Sequence, residues 1–139
     1  MRTYRANQSP NRSTRRGAVM VEFALVAPLF VVLVLGMIEV ARMLMVQEIL
    51  VNAAREGARA AVSPGETDAQ VNQTVDNYLA ASKVTGYTRT IAPSLSASPA
   101  SGAPIKVTVS VSCANVSWLG TPTYFRNKSL SASVVMIKQ

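Results

Sequence analysis

Residues Ala18 to Ile38 read AVMVEFALVAPLFVVLVLGMI, 21 positions with a single charge, Glu22. Wound as an α-helix, the segment rises ~31 Å, which matches a hydrocarbon core of ~30 Å. Its apolar side chains cover the whole circumference instead of one stripe, so every side of the cylinder must meet lipid or protein. The rest of a 139-residue chain is too short to wrap such a cylinder completely. The segment is therefore expected to cross a membrane once.

The charge distribution sets the direction of crossing. The chain carries a net charge of +7, which on its own would suggest nucleic acid as a partner. Five of the basic residues, Arg2, Arg5, Arg12, Arg15 and Arg16, lie ahead of the apolar segment with no acid among them. Residues 17–139 hold nine basic and seven acidic side chains, so the body is only weakly basic and no nucleic-acid partner is expected. By the positive-inside rule the N-terminus is cytoplasmic and everything after Ile38 lies outside. A cleaved secretory signal is the rival reading. Against it stand Glu22 inside the apolar run, the length of that run, and Glu39-Val40-Ala41-Arg42-Met43 where an A-x-A site would be needed.

Composition excludes much chemistry. Histidine is absent and Cys113 is the single cysteine, so imidazole catalysis, His-metal sites, CxxC pairs and an intrachain disulfide are ruled out. No phosphate-cradling glycine loop and no cluster of metal ligands is visible, and no cofactor or small-molecule substrate is expected. Glu66 and Asp68 sit where a helix start would use them to complement its dipole.

The junction Arg15-Arg16-Gly17-Ala18-Val19-Met20-Val21-Glu22-Phe23 resembles the processing site of type IV prepilin-like proteins. In those, a membrane peptidase cuts after the glycine on the cytoplasmic side. Cutting between Gly17 and Ala18 would leave a positive amine at the membrane edge. Glu22 would then sit about one turn into the apolar helix, where an unpartnered carboxylate is costly. In an assembled bundle it could neutralise the amine of a neighbouring subunit, which fixes register more than it adds stability. The alternative is an interfacial carboxylate that snorkels or takes up a proton.

Helical spacing continues from Glu39 to Val62, with Val40, Leu44, Ile49 or Leu50, Ala53 or Ala54, and Gly57 able to share one face. Ser63-Pro64-Gly65 then ends the helix. In Asn52–Ala61 the small residues Ala53, Gly57 and Ala60 or Ala61 form a face that another backbone can approach closely. Arg55, Glu56, Gly57 and Arg59 thus mark a docking ridge for the chain's own head or a neighbouring subunit. A solvated alanine-rich helix reads equally well there.

The remainder, residues 63–139, reads as a small α+β head. Thr67-x-x-Gln70 is a capping box opening a short helix with Val71, Val75 and Leu79 on one face. APSLSASPASGAP, from Ala92 to Pro104, reads as an exposed loop. Ile105, Val107, Val109, Val111 and Cys113 alternate with Lys106, Thr108, Ser110 and Ser112, a strand with one buried face. Ser129 to Lys138 gives a second strand and Tyr87 to Ile91 a third, so two or three antiparallel strands are expected to pack on the upper helix. Cys113 falls on the apolar face, as a buried thiol or, outside the cytoplasm, a cross-link between two copies. Trp118, Tyr124 and Phe125 flank Gly120 and Pro122; they either fold back on the core or form an interaction surface.

RRGAVMVEFALVAPLF, a glutamate and an arginine past the span, and NAAREGARAA together resemble the TadE-like family over Arg15 to Ala61. These are pilin-like proteins (pseudopilins) of the tight-adherence, or Flp, pilus assembly system, and the TadF-type proteins share the layout. The resemblance implies a non-enzymatic substrate of a prepilin peptidase in the bacterial cytoplasmic membrane, with other pilin-like subunits and the pilus assembly machinery as partners. The domain plan is then a basic leader at 1–17, a transmembrane segment at 18–38, a stalk helix at 39–62 and the head at 63–139. An uncleaved, signal-anchored protein with an exported binding domain is the alternative.

Overall fold

A computed structural model of the protein describes residues 12–118 and 127–138. Residues 1–11, with Arg2 and Arg5 among them, and Gly120, Pro122, Tyr124 and Phe125 lie outside the described residues. The architecture is α+β. Helix α1 (Arg12–Val62) is followed by α2 (Asp68–Ala81), β1 (Tyr87–Ala92), a 3-10 turn (Leu95–Ala97), β2 (Pro104–Ser112), α3 (Cys113–Val116) and β3 (Ser129–Ile137). The chain divides into two compact units, Met1–Met37 and Ile38–Gln139.

In the first unit α1 starts ahead of Ala18, the first residue of the expected span. Pro28 lies inside it and removes one backbone donor without ending the helix. Val19, Met20, Phe23, Leu25, Leu29, Phe30, Val32 and Met37 are all more than half exposed. The helix is long and apolar enough to cross a membrane, and none of its most apolar stretch is buried within the chain. Exposure on every side is what a lipid-facing cylinder requires.

In the second unit the later part of α1 supplies one wall of a core. Its buried residues are Glu39, Met43, Val46, Leu50, Ala53, Ala54, Gly57, Ala58 and Ala61. The spacing of three and four defines a single stripe. The expected face holds at Leu50, Ala53, Ala54 and Gly57 and fails at Val40 and Leu44, which are 49% and 63% exposed. The line of small residues from Ala53 to Ala61 leads back instead to Met43 and Glu39. Ser63, Pro64 and Gly65 end the helix, with Gly65 at φ 82°, a conformation that suits glycine.

α2 opens as its sequence predicts. The Thr67 side chain accepts from the Gln70 N–H while the Gln70 side chain accepts from the Thr67 N–H. Val71, Val75 and Leu79 are buried against the α1 stripe and the sheet. The sheet is antiparallel in the order β1-β2-β3. Ile105, Val107, Val109 and Val111 of β2 face the core and are essentially fully buried. The opposite face is hydroxyl-rich, with Ser110 between Thr88 and Ser131, and Thr108 between Thr90 and Ser133.

Two local features differ from expectation. Cys113 begins α3 instead of ending β2, and its thiol is buried and free. Ser112 caps that short helix, accepting from the Ala114 N–H at 3.3 Å. The loop after β1 is not wholly exposed, because Leu95 is buried in the core. Asp68 holds it there, its carboxylate accepting from the Leu95 N–H at 2.9 Å and from the Ser94 hydroxyl.

Candidate functional site

Gly17, Ala18, Glu22 and Phe23 lie on α1 in the first unit, all exposed. A Cβ added at Gly17 would meet nothing within 4 Å, so packing within the chain does not require glycine there. Ala18 and Glu22 are four residues apart on one helix, hence on the same face and separated by a rise of ~6 Å. Glu22 stands among exposed apolar side chains.

Arg55, Glu56, Gly57 and Arg59 lie in the second unit and face different ways. Gly57 is buried: a Cβ there would stand 2.5 Å from Val75 Cγ2 and 3.2 Å from Val107 Cγ1. The missing side chain lets α2 and β2 reach the helix backbone. Ala53, Ala54, Ala58 and Ala61 are buried beside it, so the small-residue face meets the chain's own head. Arg55, Glu56 and Arg59 point away from that contact and are exposed.

A third group was not foreseen as a unit. Glu39 immediately follows the apolar segment and is 96% buried, at 4% exposure. Its Oε2 accepts from the Trp118 backbone N–H at 3.4 Å, while Oε1 is buried without a hydrogen-bond partner. Arg42, one turn further on, donates from Nε to the Val116 carbonyl at 2.7 Å, and its guanidinium carbon lies 6.0 Å from the centre of the Trp118 ring. Two charged side chains of α1 therefore grip the backbone on either side of Ser117. The Trp118 ring itself is 80% exposed. Glu39 lies four residues before Met43, on the line of the buried stripe, a line that only the position of the head reveals.

Two further carboxylates tie elements of the head together. The Ser94 hydroxyl and Leu95 N–H hold the Asp68 carboxyl below its ordinary value of 3.8. Asp76 Oδ1 accepts from the Tyr87 hydroxyl at 2.7 Å and pairs with Arg89 Nη1 at 2.8 Å. The hydrogen bond to Asp76 and burial raise the Tyr87 pKa above 10.0. Both groups link α2 to the strand and loop that follow it. Among the described residues no group of three or more His, Cys, Asp or Glu side chains is placed to hold a metal ion.

Residues 17–59 match the family model described as TadE-like protein, the family that the sequence resembles. The match begins at Gly17 and ends at Arg59, taking in the junction from Gly17 onward, the apolar segment, Glu39, Arg42 and the ridge. The matched stretch is 43 of the 139 residues, and α2 and the sheet lie beyond it. No curated protein and no solved structure matches the chain.

Proposed function

We propose that this chain is a non-enzymatic, pilin-like membrane protein, cut between Gly17 and Ala18 by a prepilin peptidase. It acts in assembling or anchoring a pilus of the tight-adherence type. The observation that carries the reading is the coincidence of the family match with the structure. The matched residues open on the glycine that ends the basic leader and continue through an apolar helix that none of the described residues covers. In this reading the helix anchors the protein in the cytoplasmic membrane, N-terminus inside, and the head is presented outside. Glu22 pairs with the new amine of a neighbouring pilin-like subunit, which sets the register between helices.

The test is the mature N-terminus. Mass spectrometry of protein extracted from the native membrane should find Ala18 as the first residue. A bulky residue at Gly17 should abolish processing. Because a Cβ at position 17 meets nothing within 4 Å among the described residues, such a block reports on the peptidase, provided the variant's thermal unfolding matches the parent's. Glu22→Ala should leave the cut intact and lower the yield of assembled pili. An intact leader on the native protein overturns the reading in favour of a signal-anchored protein.

A further inference from the structure

We propose that the cavity between α1, the turn after α2, and α3 is a docking site for the C-terminus of a partner polypeptide that ends in an apolar residue. Arg42 and Lys83 take its carboxylate, and the buried valines beneath them take its last side chain. Every lining residue belongs to the second unit. The site therefore goes beyond the proposed function and stands or falls apart from the cut at Gly17.

The cavity holds about 250 Å³, below the ~300–1,000 Å³ of pockets that enclose drug-sized ligands, and suits a single residue. Exposure sorts its lining into two kinds. Val46, Val84 and Val116 are buried and form an apolar floor. Arg42 and Lys83 are exposed and stand at the mouth, and no acid is among the described residues that line it. The Arg42 side chain is fixed by its Nε bond to the Val116 carbonyl at 2.7 Å, which leaves the two terminal nitrogens of the guanidinium as donors for a ligand. The Lys83 ammonium forms no salt bridge among the described residues.

The backbone of Lys83 is a second, independent sign. Its φ is 55°, at the end of α2, where its N–H donates to the Ala80 carbonyl at 3.0 Å and the Val84 N–H to the Leu79 carbonyl at 3.1 Å. Helices ordinarily end in this conformation on glycine, so a long side chain here is kept against the backbone preference. A cation placed for a ligand accounts for that.

Two cations without an acid call for an anion, and the apolar floor narrows the choice. Inorganic phosphate has nothing to bury on Val46 and Val84. An Asp or Glu side chain brings a carboxylate but no second, apolar group. A terminal leucine or valine carries both on one Cα, and capture of a terminal carboxylate is a recurring mode of peptide recognition. The guanidinium can take the carboxylate through paired N–H bonds, and the lysine adds a point charge beside it.

The experiment uses the full chain in detergent micelles, with empty micelles as the blank, and a pentapeptide, Gly-Ser-Gly-Val-Leu, labelled at its N-terminus and read by fluorescence anisotropy. The free acid should bind with Kd below about 1 mM, and the same peptide ending in an amide about tenfold more weakly. Lys83→Gln should weaken the acid about tenfold and leave the amide unchanged. Arg42→Gln should do the same in protein whose thermal unfolding matches the parent's. Lys83→Gly should lose the same binding while raising Tm, because glycine accepts φ 55° without strain. A lysine that only closes the helix would move Tm and leave binding unchanged, which overturns the proposal. Equal binding of acid and amide also overturns it and leaves a plain apolar groove. Displacement of the acid by an equal concentration of inorganic phosphate overturns it in favour of a small-anion site. Equal binding of Gly-Ser-Gly-Ser-Glu amide does so in favour of an acidic side chain. No binding of the free acid up to about 10 mM overturns the site altogether.

Discussion

Gly57 shows how much one missing methyl group can decide. Alanine is ordinarily the better helix former by about 1 kcal/mol, so Gly57→Ala on a free helix would stabilise. Here the added Cβ would meet Val75 Cγ2 at 2.5 Å, and valine cannot swing away because its χ1 is stiff. The steric term should win, lowering stability by about 1–3 kcal/mol as read from thermal unfolding of the full chain in detergent. Val75→Ala should recover part of the loss in the Gly57→Ala background while destabilising the parent protein. Asp68 makes a second residue-level prediction. Its folded pKa is depressed by the bonds from Ser94 and Leu95, so its contribution is present above the ordinary value of 3.8. That contribution is lost as pH falls from there through the lowered folded value. Asp68→Asn should flatten this acid limb in Tm measured against pH, and should lower Tm at neutral pH.

Strand β3 carries a prediction at the scale of the element. The Cys113 N–H donates to the Lys128 carbonyl and the Lys138 N–H donates to the Ala103 carbonyl. Even-numbered residues of β3 therefore bond to β2, and odd-numbered ones turn their backbone groups outward. The bond from Gln47 Nε2 to the Ser131 carbonyl at 3.0 Å agrees with that phase. A proline at Ser133 removes an outward N–H and should be tolerated, as on edge strands generally. Val134→Pro removes a ladder donor and an inward side chain, and should cost at least about 2 kcal/mol. Equal circular-dichroism melts for the two variants would contradict the assigned phase. The strands were legible in the sequence because period-two alternation in Ile105–Val111 admits one buried face. The capping box located α2 for a similar reason, since Thr67 and Gln70 act through local bonds. The stripe on α1 was harder to read. Val40 and Leu44 are as apolar as Met43 and Val46, and only the position of the head tells them apart. A buried Glu39 contradicts the usual association of charge with solvent, and its partner lies 79 positions away in the chain.

For the molecule as a whole, the dominant constraint is the apolar helix of the first unit, which none of the described residues covers. Leu33→Arg places a charge near the middle of the span and should cost about 2.5–3.5 kcal/mol of insertion free energy. Carbonate extraction should then release a larger share of the variant than of the parent protein, whereas Leu44→Arg, beyond the apolar segment, should leave extraction unchanged. That such a segment exists was readable from length and charge alone, because bilayer thickness is a fixed ruler. How the head would pack was not, because small residues such as Ala53 and Gly57 suit a free helix and a crowded one alike.

The stripe from Glu39 to Ala61 has a consequence for anything that approaches this helix sideways. Glu48, Asn52, Arg55 and Arg59 follow one another at steps of three and four on its far side, and all four are exposed. From Glu48 to Arg59 the helix is thus half sheathed, with one flank occupied by its own head and the other written in polar side chains. Along that stretch the two flanks of one helix offer opposite chemistries, a closed apolar one and an open charged one.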